Sequence, residues 1–233
     1  MAQALANQLA ACKNESGRAE VRIAACSWLI DQVKDDDDIR IEAHLQRGVL
    51  NELAGDKDAA IGDYSKVIEL DPSNALAYFN RGNAYDQQGD YERAIADYTE
   101  AIKLDPSDPD AFNNRGQAYD STGEYDLAIA DYSQSIRLNP DNPRAFYNRG
   151  LAYANKGEHE LAIASLDQAI KLAPGDADAH LSRGAMHEEL GNEAAARADY
   201  SRALEIVPEH EDAKEALARL DAPPGADVNE AKQ

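Results

Sequence analysis

Three asparagines recur at a spacing of 34 residues, at Asn80, Asn114 and Asn148. An asparagine amide has one acceptor and two donors, so it can pair with both the N–H and the C=O of an extended peptide backbone. Equal spacing along the sequence would repeat this amide at one position of successive structural units. The pattern predicts a row of amides that holds a peptide backbone. The alternative interpretation is that each amide bonds only to the neighbouring helix.

An arginine recurs at the next position, and in four of five copies an aspartate follows sixteen residues later, as in Arg81 and Asp97. This pattern predicts a structural ion pair that bridges two helices, because an inward-packed guanidinium needs a counter-charge. Arg149 is the exception, since Ser165 stands where the aspartate should be. Arg149 either uses another acid, such as Asp167, or remains free to bind an anionic group. The arginines and their partner positions are Arg47 and Asp63, Arg81 and Asp97, Arg115 and Asp131, Arg149 and Ser165, and Arg183 and Asp199.

The only two cysteines, Cys12 and Cys26, lie close together near the N-terminus. The repeat alignment places them on facing sides of one helical hairpin, where a disulfide would close a loop of about 15 residues and contribute ~3 kcal/mol. The alternative is two buried free thiols that act as small hydrophobic groups. A disulfide would favour an oxidising compartment such as a bacterial periplasm.

The elements that position these residues follow from a strict 34-residue repeat over 41–210. A period of this length indicates a stacked array of units rather than one globular core. Within the unit 75–108, apolar residues recur at helical spacing on both sides of Gly89, a residue suited to a left-handed helix end. Asp105-Pro106 then closes the unit, because proline disfavours helix at the residue before it. Each unit is therefore predicted to be a helical hairpin.

The residues that recur at fixed positions of this 34-residue unit resemble the consensus of the tetratricopeptide repeat family. That consensus has a large residue, Gly, Tyr, Gly, Ala, an aromatic residue, Ala and Pro at the same positions. The likeness covers about 170 of the 233 residues. One departure is Leu166, which replaces the aromatic residue in the fourth copy, and another is the arginine before the first glycine of every copy. The resemblance implies an all-α, right-handed solenoid of antiparallel helical hairpins.

The resemblance also implies that the first helix of each hairpin lines a concave groove that binds peptides. Acids at Asp86 and Asp120, among amides and aromatic residues, favour a neutral or basic extended peptide as the partner. The residues predicted to contact it are Phe79, Asn80, Asn83, Asn113, Asn114, Gln117, Arg144, Tyr147, Asn148 and Arg149.

The two ends depart from the regular repeat. Residues 1–40 are predicted to form a degenerate hairpin and an acidic loop, and 41–210 to form five units. Residues 211–221 should form a capping helix and 222–233 a disordered tail. Four adjacent aspartates, Asp35–Asp38, lack the alternating ligand spacing and turn glycine of a calcium loop, so a solvated loop is expected.

Composition excludes several classes of function. A net charge of −21, from 44 acidic and 23 basic side chains, argues against nucleic acid and anionic membrane surfaces as partners. No apolar run approaches the ~20 residues that span a bilayer, so membrane insertion is not expected. The first residues fit either the stub of a removed signal peptide or a cytosolic N-terminus. A periplasmic or secreted bacterial location is predicted, with the cytoplasm as the alternative.

The predicted function is a non-catalytic protein-interaction module. The chain has no Ser/His/Asp or Cys/His spacing typical of a catalytic site and no glycine-rich phosphate loop. No cofactor and no metal are predicted. The alternative is a scaffold that self-assembles through the array ends or the convex face and so forms a homo-oligomer.

Overall fold

The structure, a computed structural model, describes residues 2–14 and 16–221. These residues form thirteen helices and no strand, which confirms the predicted all-α class. None of these thirteen helices combines the length and the apolar character that crossing a membrane requires. The predicted disordered tail, 222–233, lies outside the described residues.

Contacts between Cα atoms divide the chain into two compact units, unit 1 at Met1–Thr122 and unit 2 at Gly123–Gln233. In unit 1 each helix packs against the next one along the chain. Its helices are α1 (Ala2–Lys13), α2 (Ala19–Gln32), α3 (Asp37–Leu53), α4 (Lys57–Leu70), α5 (Ala75–Asp86), α6 (Tyr91–Leu104) and α7 (Pro109–Ser121).

Unit 2 has the same arrangement of successive, mutually packed helices. The last of them, α13, packs on α12 and buries Ala213 and Ala216, while Arg219 donates hydrogen bonds to Glu188 at 2.8 and 2.9 Å. The helices of unit 2 are α8 (Tyr125–Leu138), α9 (Pro143–Asn155), α10 (His159–Leu172), α11 (Ala177–Glu189), α12 (Glu193–Ile206) and α13 (Glu211–Asp221).

The hairpin of α5 and α6 shows how the sequence sets the helix ends. The Asn74 side chain caps α5 by accepting a hydrogen bond from the Ala77 N–H at 3.0 Å. Gly89 then reverses the chain with φ of 79°, a conformation that costs residues with a Cβ atom more than it costs glycine. Asp90 caps α6 through the Arg93 N–H at 3.1 Å. Each boundary is thus fixed by a residue with a specific local role.

A second glycine sets the distance between the two helices of a hairpin. A Cβ atom on Gly82 would lie only 2.9 Å from the Tyr98 ring, whose side chain is fully buried. The same close approach occurs between Gly48 and Tyr64. The repeated glycine and aromatic residue therefore form one packing unit, in which the ring occupies the space that a side chain would fill.

The N-terminal hairpin has its own small core. Cys12 and Cys26 form a disulfide with an S–S distance of 2.07 Å, and both residues are 0% exposed. Leu29 packs beside them, and Ala43 and Leu50 of α3 belong to the same cluster. The predicted disulfide is therefore present, and it lies where the degenerate hairpin joins the first regular one.

The loop formed by the acidic segment Asp35–Asp38 is shorter than the repeat alignment predicts. Helix α3 begins at Asp37 rather than at Ile41, because the Asp36 side chain caps it by accepting from the Ile39 N–H at 3.1 Å. Asp37 and Asp38 occupy its first turn, where carboxylates interact favourably with the positive end of the helix dipole. The expectation of a solvated loop over all four aspartates was therefore wrong for these residues.

Candidate functional site

The first helices of successive hairpins lie side by side within unit 1. Helix α5 contacts both α3 and α7. Along the chain, α4 lies between α3 and α5, and α6 lies between α5 and α7. We call the surface formed by α3, α5 and α7 the inner face of unit 1. Its helices α5 and α7 contain all of the predicted contact residues that lie before residue 123.

The inner face carries two of the three recurrent asparagines, Asn80 on α5 and Asn114 on α7, together with Asn83 on α5. Asn114 Nδ2 donates to Asn83 Oδ1 at 2.9 Å, which links α7 to α5. Asn83 Oδ1 also accepts from the Tyr98 hydroxyl at 2.7 Å. Asn80 is half-buried, and its amide makes no hydrogen bond within the described part of the chain. The alternative interpretation, bonding to the neighbouring helix, therefore describes Asn114 but not Asn80.

The other predicted residues of unit 1 differ in accessibility. Phe79 is half-buried and packs against the Tyr98 ring, with ring centroids 6.0 Å apart. Gln117 is exposed. Asn113 is only 2% exposed, and its Nδ2 donates to Asn114 Oδ1 at 3.2 Å. A side chain this buried does not reach a ligand, so Asn113 instead orients the Asn114 amide.

In unit 2, α9 carries the remaining predicted residues. Arg144 is exposed, and Asn148 is half-buried. The Tyr147 hydroxyl bonds to Ser182, and burial raises the pKa of this tyrosine above its ordinary value. Tyr147 is therefore a neutral, half-buried ring that lies between α9 and α11, two helices that contact each other.

The recurrent arginines make the predicted ion pairs within each unit. Arg81 Nε and Nη2 donate to the two carboxylate oxygens of Asp97 at 2.7 and 2.8 Å. Arg183 binds Asp199 with the same bidentate geometry at 2.9 and 2.6 Å. The Asp97 side chain is 8% exposed and that of Arg81 20%, so the pair is largely removed from water. Bidentate contact between ionised groups is stronger than a neutral hydrogen bond.

The sequence interpretation missed a second partner of these arginines, a hydroxyl group on the preceding hairpin. Arg81 Nη1 donates to Ser65 on the preceding hairpin at 3.0 Å, so one guanidinium joins three helices. The equivalent contact of Arg115 is to Thr99 at 3.1 Å. For Arg81, Arg115 and Arg149 the hydroxyl lies sixteen residues before the arginine, and this periodicity is the signal that could have identified it.

Arg149 differs from the equivalent Arg47, Arg81 and Arg183 because its partners are uncharged. Its Nε donates to Ser165 at 3.2 Å and its Nη1 to Ser133 at 3.3 Å. Asp167 does not pair with it in the described structure, and this carboxylate instead binds Arg183 Nη1 at 2.6 Å. Burial without a compensating acid lowers the pKa of Arg149 below its ordinary value. The first of the two predicted possibilities, a pair with Asp167, was wrong.

Comparisons with known proteins place this architecture in a family. A family model described as TPR repeat matches residues 53–89 and 82–123, and one described as tetratricopeptide repeat matches 113–177 and 147–211. A crystal structure of MamA is 32% identical, with a TM-score of 0.67, and the match covers 72% of this chain and 96% of MamA. The chain belongs to the tetratricopeptide repeat family. The predicted fold class, a tetratricopeptide solenoid of antiparallel hairpins, is thereby confirmed.

Two further solved structures are similar. YrrB, described as a TPR protein with an unusual peptide-binding site, is 25% identical with a TM-score of 0.70, covering 83% of this chain and 98% of YrrB. MamA from Desulfovibrio magneticus RS-1 is 20% identical with a TM-score of 0.70, covering 74% and 97% of the two chains, and shows the fold alone. Curated protein sequences give no match.

The first tetratricopeptide unit contains a buried cluster around Asp63. Its carboxylate contacts His44 Nδ1 at 2.8 Å and accepts from Arg47 at 2.7 and 2.9 Å. Burial acts to raise the pKa of Asp63, but the hydrogen bonds from His44 and Arg47 outweigh it and hold the pKa below its ordinary value. The folded chain therefore keeps Asp63 ionised under conditions in which the unfolded chain protonates it.

This shift predicts an acid-dependent loss of stability. A lowered folded-state pKa contributes stability that is complete above the unfolded value, about 3.9, and disappears as the pH falls through the folded value. Asp63→Asn removes this contribution, so the unfolding free energies of the wild type and the variant should converge as the pH falls below about 4. Urea unfolding of both proteins from pH 7 to pH 3 measures this. Parallel curves would contradict the assignment to Asp63.

Proposed function

We propose that this protein is a non-catalytic interaction module that holds an extended peptide along the inner face of unit 1. The observation that carries the proposal is the Asn80 amide, which is half-buried and makes no hydrogen bond within the described residues. A polar group left unpaired at a partly desolvated position favours a ligand that can pair with it. Asn80 can offer two donors and an acceptor to a peptide backbone.

The neighbouring amides extend the same chemistry. Asn83 uses its oxygen for Tyr98 and Asn114, and the described contacts leave its two N–H groups for a ligand. Asn114 donates one N–H to Asn83 and retains the other. The internal bonds fix the orientation of these amides, and this pre-organisation lowers the entropic cost of binding.

The character of the partner follows from the same surface. Phe79 lies beside the amides and offers apolar contact to a peptide side chain. The net charge of −21 favours a neutral or basic peptide. The similarity to YrrB, which is described as having a peptide-binding site, supports a peptide as the ligand class.

Replacing Asn80 by alanine is expected to weaken peptide binding by about 30-fold, the effect of two neutral hydrogen bonds of about 1 kcal/mol each. The probe is a peptide enriched from a random display library on the immobilised protein, and the measurement is titration calorimetry. Asn192→Ala is the matched control, because Asn192 is exposed in unit 2 and makes no capping hydrogen bond. Equal affinity of the wild type and Asn80→Ala would exclude the amide row.

Self-assembly is the other function that the sequence predicts, and it has a different signature. Light scattering at rising protein concentration should show a constant mass for an interaction module. A mass that grows with concentration would favour the scaffold, in which array ends or the convex face join copies of the chain.

We also propose that the protein works in an oxidising compartment, such as a bacterial periplasm. The support is the disulfide between Cys12 and Cys26, since disulfides are rare in reducing cytosol. The protein is isolated from its native cells and unfolded without reductant. Titration should then find no free thiol. Two thiols per chain would favour the cytoplasm.

A further inference from the structure

Unit 2 contains an arginine site that lacks the carboxylate found at the equivalent arginines of other repeats, which we call its sister sites. We propose that Arg149, together with Ser133 and Ser165, binds a carboxylate group supplied by a partner. This site stands on unit 2 alone and does not require the inner face of unit 1.

The sister sites show what such a constellation binds. In the second tetratricopeptide unit, Arg81 Nε and Nη2 hold the two oxygens of Asp97, while Nη1 donates to the Ser65 hydroxyl. Arg47 makes the same three contacts with Asp63 and Ser27. In these two units a carboxylate and a hydroxyl surround one guanidinium, and Arg149 retains the hydroxyl through Ser133.

Ser165 changes only the carboxylate side of this arrangement. Its shorter side chain reaches Arg149 Nε, and no side chain in the described part of the chain bonds to Nη2. The Phe146 ring, 5.5 Å from the guanidinium carbon, supports the flat side of the group. In the equivalent sites, the Nε and Nη2 groups of the arginine bind two carboxylate oxygens. In Arg149 the same two groups have only the Ser165 hydroxyl as a partner.

The chemistry of the ligand follows from this geometry. A half-buried guanidinium without a counter-charge gains from pairing with an anion, and a planar carboxylate matches its two parallel N–H groups. A peptide offers such a group at its C-terminus or on an Asp or Glu side chain. The first source suits a partner that is otherwise neutral or basic, given the acidic surface of this protein.

The direct test is NMR observation of the Arg149 Nε–Hε signal, assigned by its loss in Arg149→Gln, while acetate is added to the full chain at constant ionic strength. We expect a saturable shift with acetate and none with acetamide, its neutral analogue. Ser165→Asp supplies an internal carboxylate, so it should abolish the acetate response and raise the melting temperature. Ser165→Asn, of similar size but uncharged, should not raise it.

Two further probes distinguish the source of the carboxylate. N-acetylglycine presents a chain end, and the N-methylamide of N-acetylaspartate presents a side chain; the one that saturates at lower concentration identifies the source. A wild-type signal that ignores acetate, or that responds equally in Ser165→Asp, would overturn the proposal. So would a response to methyl phosphate without one to acetate. Asn80→Ala should leave the acetate response unchanged, so failure here and failure of the inner face can be distinguished.

Discussion

Replacing Arg81 by alanine is expected to lower the free energy of unfolding by about 3–5 kcal/mol, the usual effect of breaking a buried ion pair from one side. The variant leaves Asp97 in a largely buried position without its two charge-assisted hydrogen bonds. It also removes the contact to Ser65, so α4, α5 and α6 lose a common link. Urea unfolding followed by circular dichroism gives the size of the loss, and hydrogen exchange in these helices locates it.

Two further variants distinguish the energetic cost of the unpaired Asp97 carboxylate from the cost of losing the arginine side chain itself. Arg81→Ala combined with Asp97→Ala should be less destabilised than the sum of the single variants, because no buried charge remains. Arg149→Ala should cost less than Arg81→Ala, because Ser165 carries no charge to strand. Equal losses in Arg81→Ala and Arg149→Ala would show that the ion pair is unimportant for stability.

Reducing the Cys12–Cys26 disulfide is expected to lower the stability of the N-terminal hairpin by about 3 kcal/mol, the chain-entropy estimate for a loop of about 15 residues. Trp28, the only tryptophan, lies in α2 and packs against the same cluster, so its fluorescence reports on this hairpin. Urea unfolding with and without reductant gives the shift in midpoint. Cys12→Ala combined with Cys26→Ala should be insensitive to reductant, and identical midpoints for the oxidised and reduced wild type would contradict the prediction.

The helices could be predicted because the residues that set their ends and their packing recur in several copies of the repeat. The glycine of the turn, the capping residue and the paired glycine and aromatic residue recur at fixed offsets, so chance matches are improbable. Gly82 and Tyr98 show this, since their spacing predicts the close contact that the structure contains. The start of α3 was missed because Asp36 caps the helix locally, outside the repeat pattern.

The candidate site was harder to predict because adjacent residues on one helix have different surroundings. Asn113 and Asn114 are neighbours in sequence, yet the first is buried and the second is half-buried. The competition for Asp167 also depends on three-dimensional neighbours, since Arg183 on the following hairpin reaches it first. A periodic sequence identifies the face of a helix, but side-chain packing decides which polar groups are left for a ligand.

The most direct test of the central claim is the response of the Asn80 side-chain amide in an NMR titration with the display-selected peptide. We predict that the Asn80 and Asn114 NH₂ signals shift at the peptide concentration that saturates the calorimetric titration. The Asn192 amide, remote in sequence and in unit 2, should not respond. Shifts confined to α4 and α6, with Asn80 unchanged at saturation, would contradict peptide binding on the inner face.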